Sequence, residues 1–236
     1  LIAVTNCDLR VDWATHEAAR YACENWHYSK TIPKSKLLKI GIWEGNQFIG
    51  VVIFGYGATP NLVKPYGLTM QQCCELTRIA LNAHATPVSK IVSISLRFLR
   101  QSNPGVRLVV SFADQSQGHH GGIYQAGNWI YSGACQPATF YKIHGKLMHP
   151  RSIGHRGIVQ NLQGARSIDP EATAVNIPGK HRYLMPLDNE MRKKILPLSR
   201  PYPKRAGSDT KDTPGFHPGE GGSTPTPALH SLKHDR

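Results

Sequence analysis

CELTRIALNAHATPVSKIVSISLRFLRQSNPGVRLVVSFAD, residues 74–114, decides the fold. CELTRIA, 74–80, reads as a strand. Strict alternation puts Glu75, Thr77 and Ile79 on one face and Leu76, Arg78 and Ala80 on the other. Residues 86–102 read as a helix with Thr86 as its cap and Pro87 at the first helical position. Val88, Ile91, Val92, Ser95 and Leu99 line one side of it. Asn103-Pro104-Gly105 ends the helix, and VRLVVSFA, 106–113, is apolar enough for a buried strand. A strand, a helix and a strand in that order make a crossover, and the order predicts a sheet with at least one parallel pair.

The neighbouring segments extend this unit on both sides. WATHEAARYACEN, 13–25, predicts a helix capped by Asp12. LKIGIW, 38–43, and FIGVVIF, 48–54, predict a hairpin around the EGN turn. Residues 55–67 are broken by Gly and Pro into a loop. A short helix is expected over 121–127, with strands near 129–132 and 138–143. The sum is a mixed α/β layer over residues 1–150. Beyond it we expect a basic, partly ordered extension over 151–205, with a short helix at 187–196. Residues 206–236 lack a core-forming pattern and are expected to be disordered.

The formal net charge of +13 points to a polyanionic partner, nucleic acid before an anionic membrane or an acidic cofactor. No apolar run approaches the roughly 20 residues of a membrane span. There is no signal-peptide or Arg-rich leader pattern. The chain opens on Leu1, so an initiator and some leading residues are expected ahead of it. The five cysteines show neither CxxC nor zinc-ribbon spacing, and reduced, mostly buried thiols are expected.

Three stretches carry residues with chemistry. In WHYSK, 26–30, His27 offers a base or metal ligand, Tyr28 a donor or ligand and Lys30 an anion contact. In ELTR, Glu75 and Arg78 are costly on a sheet strand unless paired or set in a cleft. In SFADQSQGHHGGIYQAGNW, 111–129, a carboxylate, Asp114, ends the strand and glycines follow it. Strand carboxyl ends are where open α/β sheets bind ligands, although a glycine-rich turn capped by an Asp explains the same residues. His119 and His120 are adjacent and make poor co-ligands for one metal. His27, Tyr28 and Asp114 form an N/O set suited to iron or another first-row metal, without a spacing that brings them together.

NWHYSK, IGIW…FIGVVIFGYG, CELTRIAL and SFADQSQGHHGGIYQAGNWIYSG together resemble the Mom family of bacteriophage DNA modification proteins. The likeness runs over roughly residues 20–145 and more loosely over KHRYLMPLD, 180–188. It implies a fold like the GCN5-related N-acetyltransferases for residues 1–150. It also implies modification of adenine N6 in double-stranded DNA to a carbamoylmethyl, glycinamide-type adduct. The expected outcome is protection from host restriction, in the cytoplasm of the bacterial host. The family's functional positions fall on His27, Tyr28, Arg78, Ser111, Asp114 and Tyr124. His27, Tyr28 and Asp114 become the expected iron ligands, and Lys30, Glu75 and Thr86 the expected contacts to the donor.

One departure bears on the donor. Acetyltransferases of that fold cradle the coenzyme A pyrophosphate in a glycine-rich loop at the crossover helix, and here the position reads NAHATPVSK, without glycine. Acetyl-coenzyme A is thus disfavoured. A glycine-derived donor, activated as an aminoacyl ester on transfer RNA, suits the adduct better. Tyr56 and Tyr66 are candidates to stack on a flipped adenine, and the Arg151–Arg205 segment is a candidate to hold DNA phosphates. The rival readings are an acyl-coenzyme A N-acyltransferase acting on a small amine or protein, and a non-catalytic basic DNA-binding protein.

Overall fold

A computed structural model of the chain describes residues 9–57 and 60–204. The expected disordered tail lies outside them, as does Cys7. The four described cysteines, Cys23, Cys73, Cys74 and Cys135, are free thiols.

The chain opens with a strand that the sequence reading missed, β1 (Leu9–Trp13). Leu9 and Val11 point into the core, and the strand runs antiparallel to its neighbour with Leu9 opposite Glu44. Helix α1 (His16–Trp26) therefore starts later than expected. Thr15 caps it, its Oγ1 accepting from the Ala18 amide at 3.1 Å, while Asp12 only accepts from the amide of Trp13. The hairpin is as expected: β2 (Leu37–Glu44) and β3 (Gln47–Gly55) pair antiparallel. Gly45 supplies the positive φ, +56°, that the turn requires.

The crossover follows as β4 (Cys73–Leu81), α2 (Val88–Ser102) and β5 (Leu108–Ala113). The two strands pair in parallel from Cys73↔Leu108 to Leu76↔Ser111. Beyond that point β4 stays with β3 and β5 stays with another neighbour, so a gap opens between them. Thr86 does not cap α2. Its backbone amide and that of Ala85 donate instead to the carboxylate of Glu44, at 2.7 and 3.0 Å. The helix starts behind Pro87 without a side-chain cap.

Strand β4 carries a bulge. Arg78 pairs with Ile53 and Leu76 with Phe54, which leaves Thr77 as the extra residue. Its hydroxyl donates to the Ile53 carbonyl at 3.1 Å. The bulge resets the alternation, so Leu76 and Ile79 both pack on the α2 side. Glu75 and Arg78 then share the opposite face, contrary to the strict alternation read from ELTR.

Next come α3 (Gly122–Ala126) and β6 (Ile130–Ala134). The chain then leaves the main sheet for a small unit. It comprises β7 (Ala138–Ile143), β8 (Lys146–Met148), α4 (Pro150–Gly154), α5 (Leu162–Arg166) and β9 (Thr173–Ile177). This unit has its own three-stranded sheet and a core of Tyr141, Ile143, Ile153, Ala165 and Ala172. The chain returns as β10 (His181–Pro186) and ends on α6 (Asn189–Ile195), the helix expected near 187–196.

Strand β10 inserts between β5 and β6, antiparallel to both, in a seven-stranded sheet of order β1-β2-β3-β4-β5-β10-β6. The boundary expected at residue 150 thus falls inside the excursion, and the segment beyond it is no appendage. Tyr183 and Leu184 are fully buried in the main core. HRYLMP is short, half polar and ends in proline, which masks its strand character.

Helix α2 covers one face of the sheet, laying Ile91, Val92, Leu96 and Leu99 on Ile40, Val52, Phe54 and Val109. Each such side chain contributes roughly 1.5–3 kcal/mol on burial. Helices α1 and α6 cover the other face. Ala19, Ala22 and Cys23 meet Val51, Ile53 and Ala80, while Met191 and Ile195 meet Leu108, Val110 and Leu184. Asp188 caps α6 through the Met191 amide and takes a bidentate bond from Arg107 at 2.8 and 2.9 Å. No described helix is long and apolar enough to cross a membrane.

Candidate active site

Where β4 and β5 part, a cavity of about 600 Å³ opens. Its walls come from the end of α1, the bulged part of β4, the end of β5 and the loop into α3. Of the expected site residues, His27, Tyr28, Arg78 and Tyr124 line it.

His27 sits just past the last turn of α1, where its backbone amide donates to Cys23 O. The Ser29 amide donates to its Nδ1 at 3.1 Å, so that nitrogen carries no proton and the neutral ring holds its proton on Nε2. Burial, then the nearby Arg78 guanidinium, His119 and Lys30, lower its pKa to about 4. At neutral pH His27 is a hydrogen-bond donor rather than a base.

Tyr28 stacks beside it, ring centroids 4.3 Å apart, and meets His119 edge-on at 5.6 Å. It stays half exposed at the cavity mouth. Arg78 is held by the Thr31 and Thr77 carbonyls at 3.3 and 2.7 Å.

The innermost group is a hydroxyl pair. Ser111 Oγ lies 2.9 Å from the Leu76 carbonyl and 2.8 Å from Tyr124 Oη. The carbonyl can only accept, so Ser111 gives it its single proton and the Tyr124 hydroxyl donates to Ser111. Ser111 thereby bridges β5 to the last parallel residue of β4, where the gap begins. Burial pushes the Tyr124 pKa up to about 12, and the phenol stays protonated. Its ring is clamped between Trp129 and Tyr183, each 5.0 Å away.

The loop between β5 and α3 must pass close to Tyr183. Gly121 has φ +87°, and a Cβ there would overlap the Tyr183 ring. The Tyr183 hydroxyl donates to the His120 carbonyl at 2.6 Å and fixes the loop from below.

These elements and motifs have a counterpart among known proteins: residues 8–204 match the Mom protein family. The chain belongs to that family. It is also similar to the methylcarbamoylase Mom of Escherichia phage Mu, with 29% identity over 210 residues and 84% of each chain covered.

In this Mom family member Asp114, Lys30, Glu75 and Thr86 are not among the residues lining the cavity. Asp114 Oδ1 accepts from the Ser116 amide and hydroxyl at 3.0 and 2.6 Å, and its Oδ2 pairs with Lys180 at 2.9 Å. Those partners outweigh the opposing effect of burial, and its pKa is lowered. Lys30 donates to the Asn25 carbonyl at the end of α1. The Glu75 side chain packs against Gly57, and Thr86 faces Glu44.

Among the described residues no three His, Cys, Asp or Glu side chains converge as a metal set. Within the expected trio, Asp114 Oδ2 pairs with Lys180 and His27 Nδ1 accepts from the Ser29 amide.

Tyr56 and Tyr66, the expected base-stacking residues, are also displaced. Tyr66 is buried against α6, and Tyr56 lines a different cavity beside Cys73. His119 and His120, poor co-ligands for one metal because they are adjacent, both line the site. The sequence reading missed Tyr183, Trp129 and Lys180. Their signal was the aromatic run YQAGNWIY together with HRY, spaced so that α3, β6 and β10 meet.

Proposed function

We propose that this Mom family member is a DNA-modifying transferase that places a carbamoylmethyl group on adenine N6 and so shields DNA from restriction. The observation that carries this reading is the cavity at the β4–β5 gap. Aromatic rings and a cation line it, and Tyr124 in its wall is bonded to the buried Ser111 behind. The phage Mu relative is named a methylcarbamoylase, which supports transfer of an amide-bearing group of this composition. The order of helix, hairpin, strand, crossover helix, parallel strand and short helix supports the acetyltransferase-like reading of the fold.

Adenine N6 is paired and stacked in a duplex, so the base must be extruded to reach the cavity. Tyr28 is the exposed ring placed to stack on it, and the Nε2–H of His27 is placed to donate to a ring nitrogen. Arg78 offers a fixed guanidinium to a carboxylate or phosphate of the donor. As N6 bonds to the donor carbon, the bond from that carbon to its carrier oxygen breaks, and the departing oxygen takes the N6 proton. The Tyr124 oxygen, whose own proton is committed to Ser111, accepts a hydrogen bond from N6–H and orients it. The net charge of +13 supplies phosphate contacts to DNA.

The filled amides ahead of α2 count against coenzyme A, because the Glu44 carboxylate occupies the place where a pyrophosphate would sit. A glycine-derived donor, with transfer RNA as its carrier, remains the better match to the adduct. Mass spectrometry of nucleosides from DNA of cells expressing the protein tests the reading. A carbamoylmethyl-deoxyadenosine peak is expected, and DNA identical to that of control cells would overturn it.

A further inference from the structure

A second polar cavity, of about 340 Å³, lies between α2 and the end of α3. From α2 it receives Lys90 and Arg97, two turns apart on one side of the helix, with Ser93 between them. Facing them is the turn after α3, where Asn128 adopts φ +57°. No carboxylate lines this cleft. One of its lining residues, Trp129, is 1% exposed, and its indole N–H is buried without an acceptor. That N–H lies under Gly127, another lining residue. Two cations and an amide side chain line the space, an orphaned donor is buried behind Gly127, and an anion is what the cations lack.

Part of the usual anion position ahead of this helix is taken. Glu44 holds the Ala85 and Thr86 amides, and Pro87 has no N–H to give. The flank of α2 offers an anion two cations instead. The two cavities share α3 as a wall, with Gly122, Ile123 and Tyr124 facing the first and Ala126 through Trp129 the second. A helix of five residues is only about 7.5 Å long. The Trp129 ring packs against Tyr124, centroids 5.0 Å apart and tilted by 59°.

We propose that this cleft is a second binding site, for a phosphate carried by the group donor, so that the donor spans α3 with its reactive end at Tyr124. The proposal rests on the transferase reading given above.

Adenosine 5′-monophosphate, a small probe with a phosphate and an aromatic ring, is titrated into the full chain while tryptophan emission is followed. Saturable binding is expected. Lys90→Gln combined with Arg97→Gln, both at exposed positions, should weaken it at least tenfold with the circular dichroism spectrum unchanged. Absent binding, or binding indifferent to the two substitutions, overturns the site. Displacement of the nucleotide by a short DNA duplex would give the cleft to the DNA backbone and overturn the donor assignment.

In cells, the double variant should lose at least nine-tenths of the adenine adduct. Full modification despite weakened nucleotide binding would also overturn the donor role. Unmodified DNA from wild-type cells with nucleotide binding intact would remove the functional reading and the donor role, while the phosphate site would stand.

Discussion

The loop between β5 and α3 starts at Asp114 and leads to Tyr124, and its two ends are built differently. Asp114 turns away from the cavity, locked to Ser116 and Lys180. Tyr124 turns into the cavity, donating to Ser111 and clamped by Trp129 and Tyr183. A carboxylate at a strand end is the more obvious catalyst by residue type. Its environment holds it outside the cavity lining, on Ser116 and Lys180. Lys180 begins the return from the small second sheet to β10, so the Asp114 ion pair ties that unit to the loop.

The largest effect expected from breaking this contrast comes at the inner end. Tyr124→Phe removes the hydroxyl and keeps the ring, so the fold should hold. The adenine adduct should fall by roughly 100-fold or more, the scale of a misplaced nucleophile. Near-normal modification in a folded Tyr124→Phe protein would move the chemistry elsewhere. At the outer end the effect should be smaller and graded. Asp114→Ala loses both the turn cap and the ion pair, and modification should drop about tenfold, matching a cap worth about 1 kcal/mol plus its pair. Asp114→Asn keeps the cap and should stay within about threefold of wild type.

The pH dependence sharpens the upstream wall of the site. His27 has its pKa lowered to about 4, below its ordinary value of about 6.5. Between those values the unfolded chain binds the proton and the folded one does not. Stability is therefore full above about pH 6.5 and declines as pH falls toward 4, by roughly 1–3 kcal/mol. Urea melts at a series of pH values should show that slope, and His27→Gln should flatten it. An unchanged slope in the variant would place the titration in another residue. The smallest effect belongs to Tyr56, which lines a cavity away from the site. Tyr56→Ala should leave nucleoside modification within about twofold of wild type, and a large loss would restore it as a base-stacking residue.

Much of this was legible in the residues, and the losses have definite causes. The β4–α2–β5 crossover is carried by hydrophobic period and by Pro and Gly punctuation, so it was readable. Strand β1 was lost because Leu9 and Val11 give only a short alternation ahead of a stronger helical stripe. Strand β10 was lost because its partners are β5 and β6, far upstream, and pairing across the excursion leaves no local trace. For the site, His27, Tyr28, Arg78, Ser111 and Tyr124 were named, and they converge. The roles were less legible than the positions. The tautomer of His27 depends on the Ser29 amide, the direction of Asp114 on Lys180, and the face of Arg78 on a bulge at Thr77 that strict alternation does not foresee.

Nucleoside mass spectrometry on DNA from cells expressing wild type, Tyr124→Phe and Asp114→Asn side by side tests the central claim most directly. The adduct should be present in wild type, nearly absent with Tyr124→Phe and largely retained with Asp114→Asn. Loss with Asp114→Asn and retention with Tyr124→Phe, both proteins being folded, would contradict the account.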